Sequence, residues 1–139
     1  GGSEKSRMLY SAGYIMNVAS AAAFQPGPLM ASYYASKSYV YNLSAAIWQE
    51  LKKEKSNVKI SVLCPGPVNT EFNDVAGVKF GVKAQESNDV VKYALNQMFK
   101  NKLRIIPGFY MRLLLFLEKF VSYKSLLKIT YNIQKSKVK

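Results

Sequence analysis

The chain has no histidine and a single cysteine among its 139 residues. Without imidazole, neither a Ser-His-Asp nor a Cys-His nucleophilic arrangement can be assembled, and no histidine-ligated metal site is available. Cys64, alone, allows no intrachain disulfide, zinc-thiolate cluster or CxxC redox pair, so no metal is expected and a reducing compartment is the natural reading. With nothing to activate its thiol, Cys64 reads as a packing residue. No uncharged apolar run approaches the ~18 residues that a membrane-spanning helix needs. Gly1–Lys5 is small and polar and does not read as a signal peptide.

Acidic residues are also scarce, eight against twenty Lys and Arg, for a net charge of +12. The excess is uneven. Residues 1–99 hold ten basic and seven acidic side chains, whereas residues 100–139 hold ten basic and one acidic. A basic protein invites a nucleic-acid reading, but the first hundred residues are nearly neutral and contain no nucleic-acid-binding motif, so no such partner is expected. Hydrophobic residues make up 49%, enough for a packed core in what length suggests is one domain.

Gly13–Ala19 (GYIMNVA) is apolar, of strand length and bounded by small residues, and reads as a buried strand. Pro26-Gly27-Pro28 breaks regular structure. From about Ser32 to Lys55 the pattern becomes helical, with Val40, Leu43, Ile47 and Leu51 on one stripe. Val58–Leu63 is a second strand, stopped by Cys64-Pro65-Gly66-Pro67 because proline cannot donate to a ladder. Residues 69–86 read as a mobile loop. Ser87 then caps a helix reaching about Lys100, and Leu103–Ile106 is a third strand ending at Pro107-Gly108. Phe109–Ile133 reads as two amphipathic helical stretches with lysine-rich ends. Strands alternating with helices at these distances predict an α/β fold with a parallel sheet, whose ligands bind at the carboxyl ends of the strands, here near Ser20 and Pro65–Thr70.

Tyr33 and Lys37 stand four residues apart at the head of the long helix, so their side chains share one face. A free phenol titrates near pH 10, too high for a proton shuttle at neutrality, and an adjacent ammonium draws that value toward the working range. A hydroxyl such as Ser20, at the end of the first strand, can hold a carbonyl oxygen against the phenol. Together these groups suit protonation of an alkoxide as hydride reaches carbon, or the reverse oxidation. Spacing alone is weak, since Tyr131 and Lys135 repeat it. The context differs: thirteen residues before Tyr33 stands Ser20 at a strand end, and thirteen before Tyr131 stands Glu118 in a helical run.

Asn17-Val18-Ala19-Ser20, Tyr33-Tyr34-Ala35-Ser36-Lys37 and Pro65-Gly66-Pro67-Val68-Asn69-Thr70, in that order and at those gaps, resemble the second half of the short-chain dehydrogenase/reductase family. The resemblance implies the carboxyl-terminal half of a doubly wound, Rossmann-like fold in residues 1–108, with 109–139 as a basic amphipathic extension. It implies an NAD(P)-dependent oxidoreductase with Ser20, Tyr33 and Lys37 catalytic. Tyr33, Lys37, Pro65, Gly66, Val68 and Thr70 would contact the cofactor, NAD or NADP, the resemblance slightly favouring NADP without deciding the choice. Tyr34, without a lysine four residues on, is expected to pack. The family's glycine-rich phosphate turn and its asparagine ahead of the first matching strand find no counterpart in residues 1–12, so these residues alone are expected to be an inactive fragment that does not bind the dinucleotide pyrophosphate.

The resemblance also implies a homo-oligomer in the intact protein, cytoplasmic, acting on a small carbonyl or alcohol for which the apolar tail suggests lipophilic character. The segment Glu71–Gln85, with Gly77 and Gly81, reads equally as a plain connector or, as the equivalent segment does in the family, as one that closes over substrate. The competing reading is a non-catalytic fragment whose basic tail docks on a partner or on a membrane surface, the peripheral contact running through residues 109–139.

Overall fold

The computed structural model describes residues 13–69 and 84–137. In chain order the elements are β1 (Gly13–Val18), a short 3-10 turn (Ala21–Phe24), α1 (Ala31–Lys53), β2 (Val58–Leu63), β3 (Val68–Asn69), β4 (Gln85–Glu86), α2 (Ser87–Phe99), β5 (Arg104–Ile105), α3 (Phe109–Glu118) and α4 (Tyr123–Lys137). β1, β2 and β5 form a parallel sheet in that order, with Gly13 opposite Val58, Val18 opposite Leu63, and Leu63 opposite Ile105. A parallel sheet with flanking helices is the Rossmann-like architecture expected from the alternation of patterns.

The alternation of side chains along β2 and the residues after it builds a core on each face of the sheet. Val62 and Cys64 point to one side and join Ala19, Ala21, Ile106, Met111 and Leu115, with Val40 and Tyr41 of α1 packed against them. Leu63 points to the other and meets Ile105 and the Val90, Ala94 and Met98 face of α2. The polar side chains Asn17, Ser44 and Ser61 in these interfaces are hydrogen-bonded. Asn17 Nδ2 donates to Ser44 Oγ at 2.9 Å, Ser44 donates onward to the Val40 carbonyl at 2.7 Å, and Ser61 Oγ donates to the Lys102 carbonyl at 2.7 Å.

Several expectations need correction. β1 is not buried: Tyr14, Ile15 and Val18 are exposed, and among the described residues β1 is an edge strand with β2 as its only strand partner. Within α1 the buried side chains are Tyr34 and Ser44, while Leu43 is 44% exposed. Ser44 faces the sheet and accepts from Asn17, an inward polar contact that an apolar stripe alone does not report. The helix also stops two residues early, where Lys55 turns left-handed at φ 55° and Ser56 N–H bonds the Leu51 carbonyl at 3.0 Å. Ser87 is the first helical residue of α2 and not its cap; Glu86 takes that position with no side-chain cap bond, being engaged in the β3–β4 pair. That parallel pair, Val68 with Gln85 and Asn69 with Glu86, lies at the two ends of the segment read as a loop. The third strand is shorter than read, at Arg104–Ile105.

Candidate active site

The carboxyl ends of β1 and β2 are tied together. Ala19 N–H bonds the Leu63 carbonyl at 2.8 Å and Ala21 N–H bonds the Pro65 carbonyl at 2.9 Å, so the Ser20 turn and the Pro65–Val68 loop lie side by side. Ser20 is extended (φ −166°, ψ 161°) and caps the 3-10 turn, its Oγ accepting from Ala22 N–H at 3.1 Å. That contact uses a lone pair and leaves the hydroxyl proton free to be donated outward.

The Pro65–Val68 loop is held from below and from the side. Gly66 packs where a Cβ would come within 2.8 Å of Met111 Cγ and Sδ, so a glycine here lets α3 seat against the loop. The Pro67 carbonyl accepts from Gln85 N–H at 2.9 Å, and Gln85 Nε2 donates to the Pro107 carbonyl at 2.9 Å. Thr70 and most of the segment from Glu71 to Gln85 lie outside the described residues.

Tyr33 and Lys37 meet as their spacing predicts, with Lys37 Nζ 5.5 Å from the centroid of the Tyr33 ring. Tyr33 is 44% exposed at the head of α1, and among the described residues the Lys37 ammonium meets this ring and no carboxylate. The structure therefore brings together the pair on α1, and separately the two strand-end loops. Among the described residues no hydrogen bond or ring contact joins Ser20 to Tyr33 or Lys37.

Tyr34 has the opposite surroundings. It is 8% exposed, its ring lies edge-on to that of Tyr33 at 6.0 Å, and Gly27 sits so close beneath it that a Cβ there would fall on ring carbons. Gln134 Nε2, from α4, donates to the Tyr34 hydroxyl at 2.6 Å. Burial pushes the Tyr34 phenol up, Tyr33 and the Glu118 carboxylate push the same way, and the hydrogen bond from Gln134 offsets part of this. Burial also raises the Glu118 carboxyl. An open groove of about 580 Å³ runs along this side, lined by Phe24, Gln25, Tyr34, Ser38, Tyr123 and Leu127, but not by Tyr33 or Lys37. Gln134 and Glu118 were not signalled by the sequence: the contact with Tyr34 spans 100 residues and follows no local pattern.

Cys64 is fully buried and its thiol is pushed up to about 12 by burial, opposed only weakly by the Arg104 charge, so it stays protonated and inert. Tyr131 and Lys135, the second pair at this spacing, lie on the exposed face of α4. Among the described residues no cluster of three or more His, Cys, Asp or Glu could hold a metal, and no helix is long and apolar enough to cross a membrane.

With this geometry in hand, similarity to known proteins is informative. Residues 5–78, just over half of the chain, match the family model described as short chain dehydrogenase. An uncharacterized oxidoreductase of Staphylococcus epidermidis is 38% identical over 93 residues, covering 63% of this chain and 38% of that protein. The 17-beta-hydroxysteroid dehydrogenase 13 of Homo sapiens is 29% identical over 125 residues, covering 88% of this chain and 41% of that protein. A short-chain dehydrogenase from Sphingobium yanoikuyae, solved in complex with NADPH, superposes with a TM-score of 0.62 at 27% identity, over 73% of this chain and 40% of that one. The chain thus spans about two fifths of the length of these relatives.

Proposed function

Since the chain belongs to the short-chain dehydrogenase family, we propose that it is the substrate-side portion of an NAD(P)-dependent oxidoreductase that interconverts a carbonyl and a secondary alcohol. The observation that carries this reading is the Lys37 ammonium 5.5 Å from the Tyr33 ring centroid, at the head of α1 in a Rossmann-like sheet. When bound, the nicotinamide supplies or accepts the hydride. In reduction, the Tyr33 hydroxyl gives its proton to the substrate oxygen as carbon receives hydride, and the Lys37 charge stabilises the phenolate left behind. In oxidation the same oxygen takes the proton back. The Ser20 hydroxyl, oriented by the Ala22 N–H, donates to the substrate oxygen and fixes it for that transfer.

The residues present fit a dinucleotide's nicotinamide end. An ammonium without a carboxylate partner among the described residues suits a ribose hydroxyl, and Tyr33, Lys37 and the Pro65, Gly66, Val68 and Thr70 segment would hold the cofactor there, NAD or NADP. The sequence contains no Gly-x-Gly-x-x-Gly run to cradle the pyrophosphate, so on this reading these 139 residues by themselves do not turn over. The substrate class is a small lipophilic ketone or alcohol, in keeping with the hydroxysteroid dehydrogenase named among the relatives. The intact protein is a cytoplasmic homo-oligomer on this reading.

The test is NAD(P)H-dependent reduction of a panel of lipophilic ketones by the protein in a form that includes a glycine-rich phosphate turn. Turnover that is lost on Tyr33→Phe, with nucleotide affinity retained, supports the assignment. Substantial residual turnover overturns it.

A further inference from the structure

The outward face of α3 and the turn after it is apolar although nothing among the described residues covers it. Met111 and Leu115 point into the core, but Phe109, Leu113, Phe116 and Leu117 face outward with Phe120 just beyond, and Phe109 and Phe120 are 73% and 76% exposed. At about 3.6 residues per turn these side chains fall on one contiguous arc. The rings of Phe116 and Phe120 meet edge-on at 5.6 Å, and Lys119 Nζ lies 6.0 Å from the Phe116 centroid. Exposed aromatic and leucine side chains grouped in this way mark a contact surface.

The charge around this face says what the contact is. Residues 100–139 carry ten basic side chains and one acidic. That acid, Glu118, is half-buried on the inner side, where burial raises its carboxyl. Lys119 lies beside Phe116 and Lys124 is exposed at the start of α4, while the half-buried Glu118 is the only acid in residues 100–139. A second copy of the chain would bring the same cations face to face with its own. An anionic phospholipid surface instead offers hydrocarbon to the phenylalanines and phosphate or carboxylate to the lysines. The ten residues of α3 reach only about 15 Å, half of a bilayer core, so the helix lies in the interface and does not cross it.

We infer that α3 and the start of α4 form a peripheral docking surface for anionic lipid bilayers, with Phe109, Phe116 and Phe120 inserted among the acyl chains and Lys119 and Lys124 at the headgroups. This surface is independent of the oxidoreductase reading, because it uses no residue placed in the reaction.

Flotation of the purified chain with vesicles tests it. Vesicles of phosphatidylcholine with about a third phosphatidylserine are expected to carry the chain at least ~10-fold better than phosphatidylcholine alone, and added salt should erase most of the difference. The double variant Phe116→Ser/Phe120→Ser is expected to lose about 10-fold or more of the binding, and Lys119→Glu/Lys124→Glu a similar amount on the anionic vesicles only. All four side chains are exposed, so far-ultraviolet circular dichroism should be unchanged. Binding that ignores both double variants, or that is equal on the two vesicle types, overturns the inference. So does sedimentation showing that the phenylalanine pair drives self-association of the chain with no effect on flotation.

Discussion

Two neighbouring tyrosines at the head of α1 lead opposite lives. Tyr33 faces outward beside a lysine ammonium that has no carboxylate partner among the described residues; Tyr34 is sealed beneath Gly27 and α4, its hydroxyl held by Gln134. On the proposed reading, the first face contributes little to stability and keeps its groups available for proton transfer. The second raises its phenol by burial and serves as a clamp, fastening α4 to the head of α1, the helix that carries Tyr33 and Lys37. Two adjacent residues thus stand on a proposed chemical face and a structural one, and substitutions on the two should fail in different ways.

The largest expected effect on the chemical face, short of removing Tyr33 itself, is that of Lys37→Met. In the intact protein it should lower kcat/KM by about 100-fold or more, while the urea midpoint of the chain moves by no more than ~0.5 kcal/mol equivalent, as for a surface substitution. On the structural face the order reverses. Gly27→Val forces carbon into the Tyr34 ring and should cost ~2–3 kcal/mol in urea denaturation. Tyr34→Phe leaves the buried Gln134 amide without its acceptor and should cost ~1–3 kcal/mol, with turnover changed far less than stability.

The smallest effect belongs to Glu118. Burial raises its carboxyl above the ordinary 4.5, so the folded chain binds this proton more tightly than the unfolded chain. Its contribution to stability is then fully present below the ordinary value and is lost as pH rises through the raised one. Glu118→Gln should remove that loss: urea midpoints measured from acid to neutral pH should fall with rising pH in the parent more than in the variant. Parallel curves would show that the carboxylate is solvated and contributes nothing to the clamp.

Much of this division was legible in the sequence. The strand-length apolar runs at Gly13 and Val58, the proline stop after Cys64, and the 3.6-residue recurrence of Val90, Ala94 and Met98 each reflect one periodicity acting locally, and each became an element. The Tyr33–Lys37 contact follows from helical geometry alone. What stayed hidden depends on long-range partners. α1 exposes Leu43 and buries Ser44, which accepts from Asn17 on another element. β3 and β4 are two residues each, too short to show alternation, and exist because Val68 and Gln85 find each other across the chain. The Tyr34 clamp joins residues a hundred positions apart, and no spacing rule anticipates a glutamine there.

The most direct measurement compares Tyr33→Phe with Tyr34→Phe side by side in the intact protein, following hydride transfer from NAD(P)H to a lipophilic ketone together with nucleotide affinity and thermal stability. The account predicts that loss of the Tyr33 hydroxyl cuts turnover by about 100- to 10,000-fold at nearly constant affinity and melting temperature, whereas loss of the Tyr34 hydroxyl lowers melting temperature and leaves turnover within about tenfold. Turnover that survives without the Tyr33 hydroxyl, or that vanishes without the Tyr34 hydroxyl in a folded protein, would contradict it.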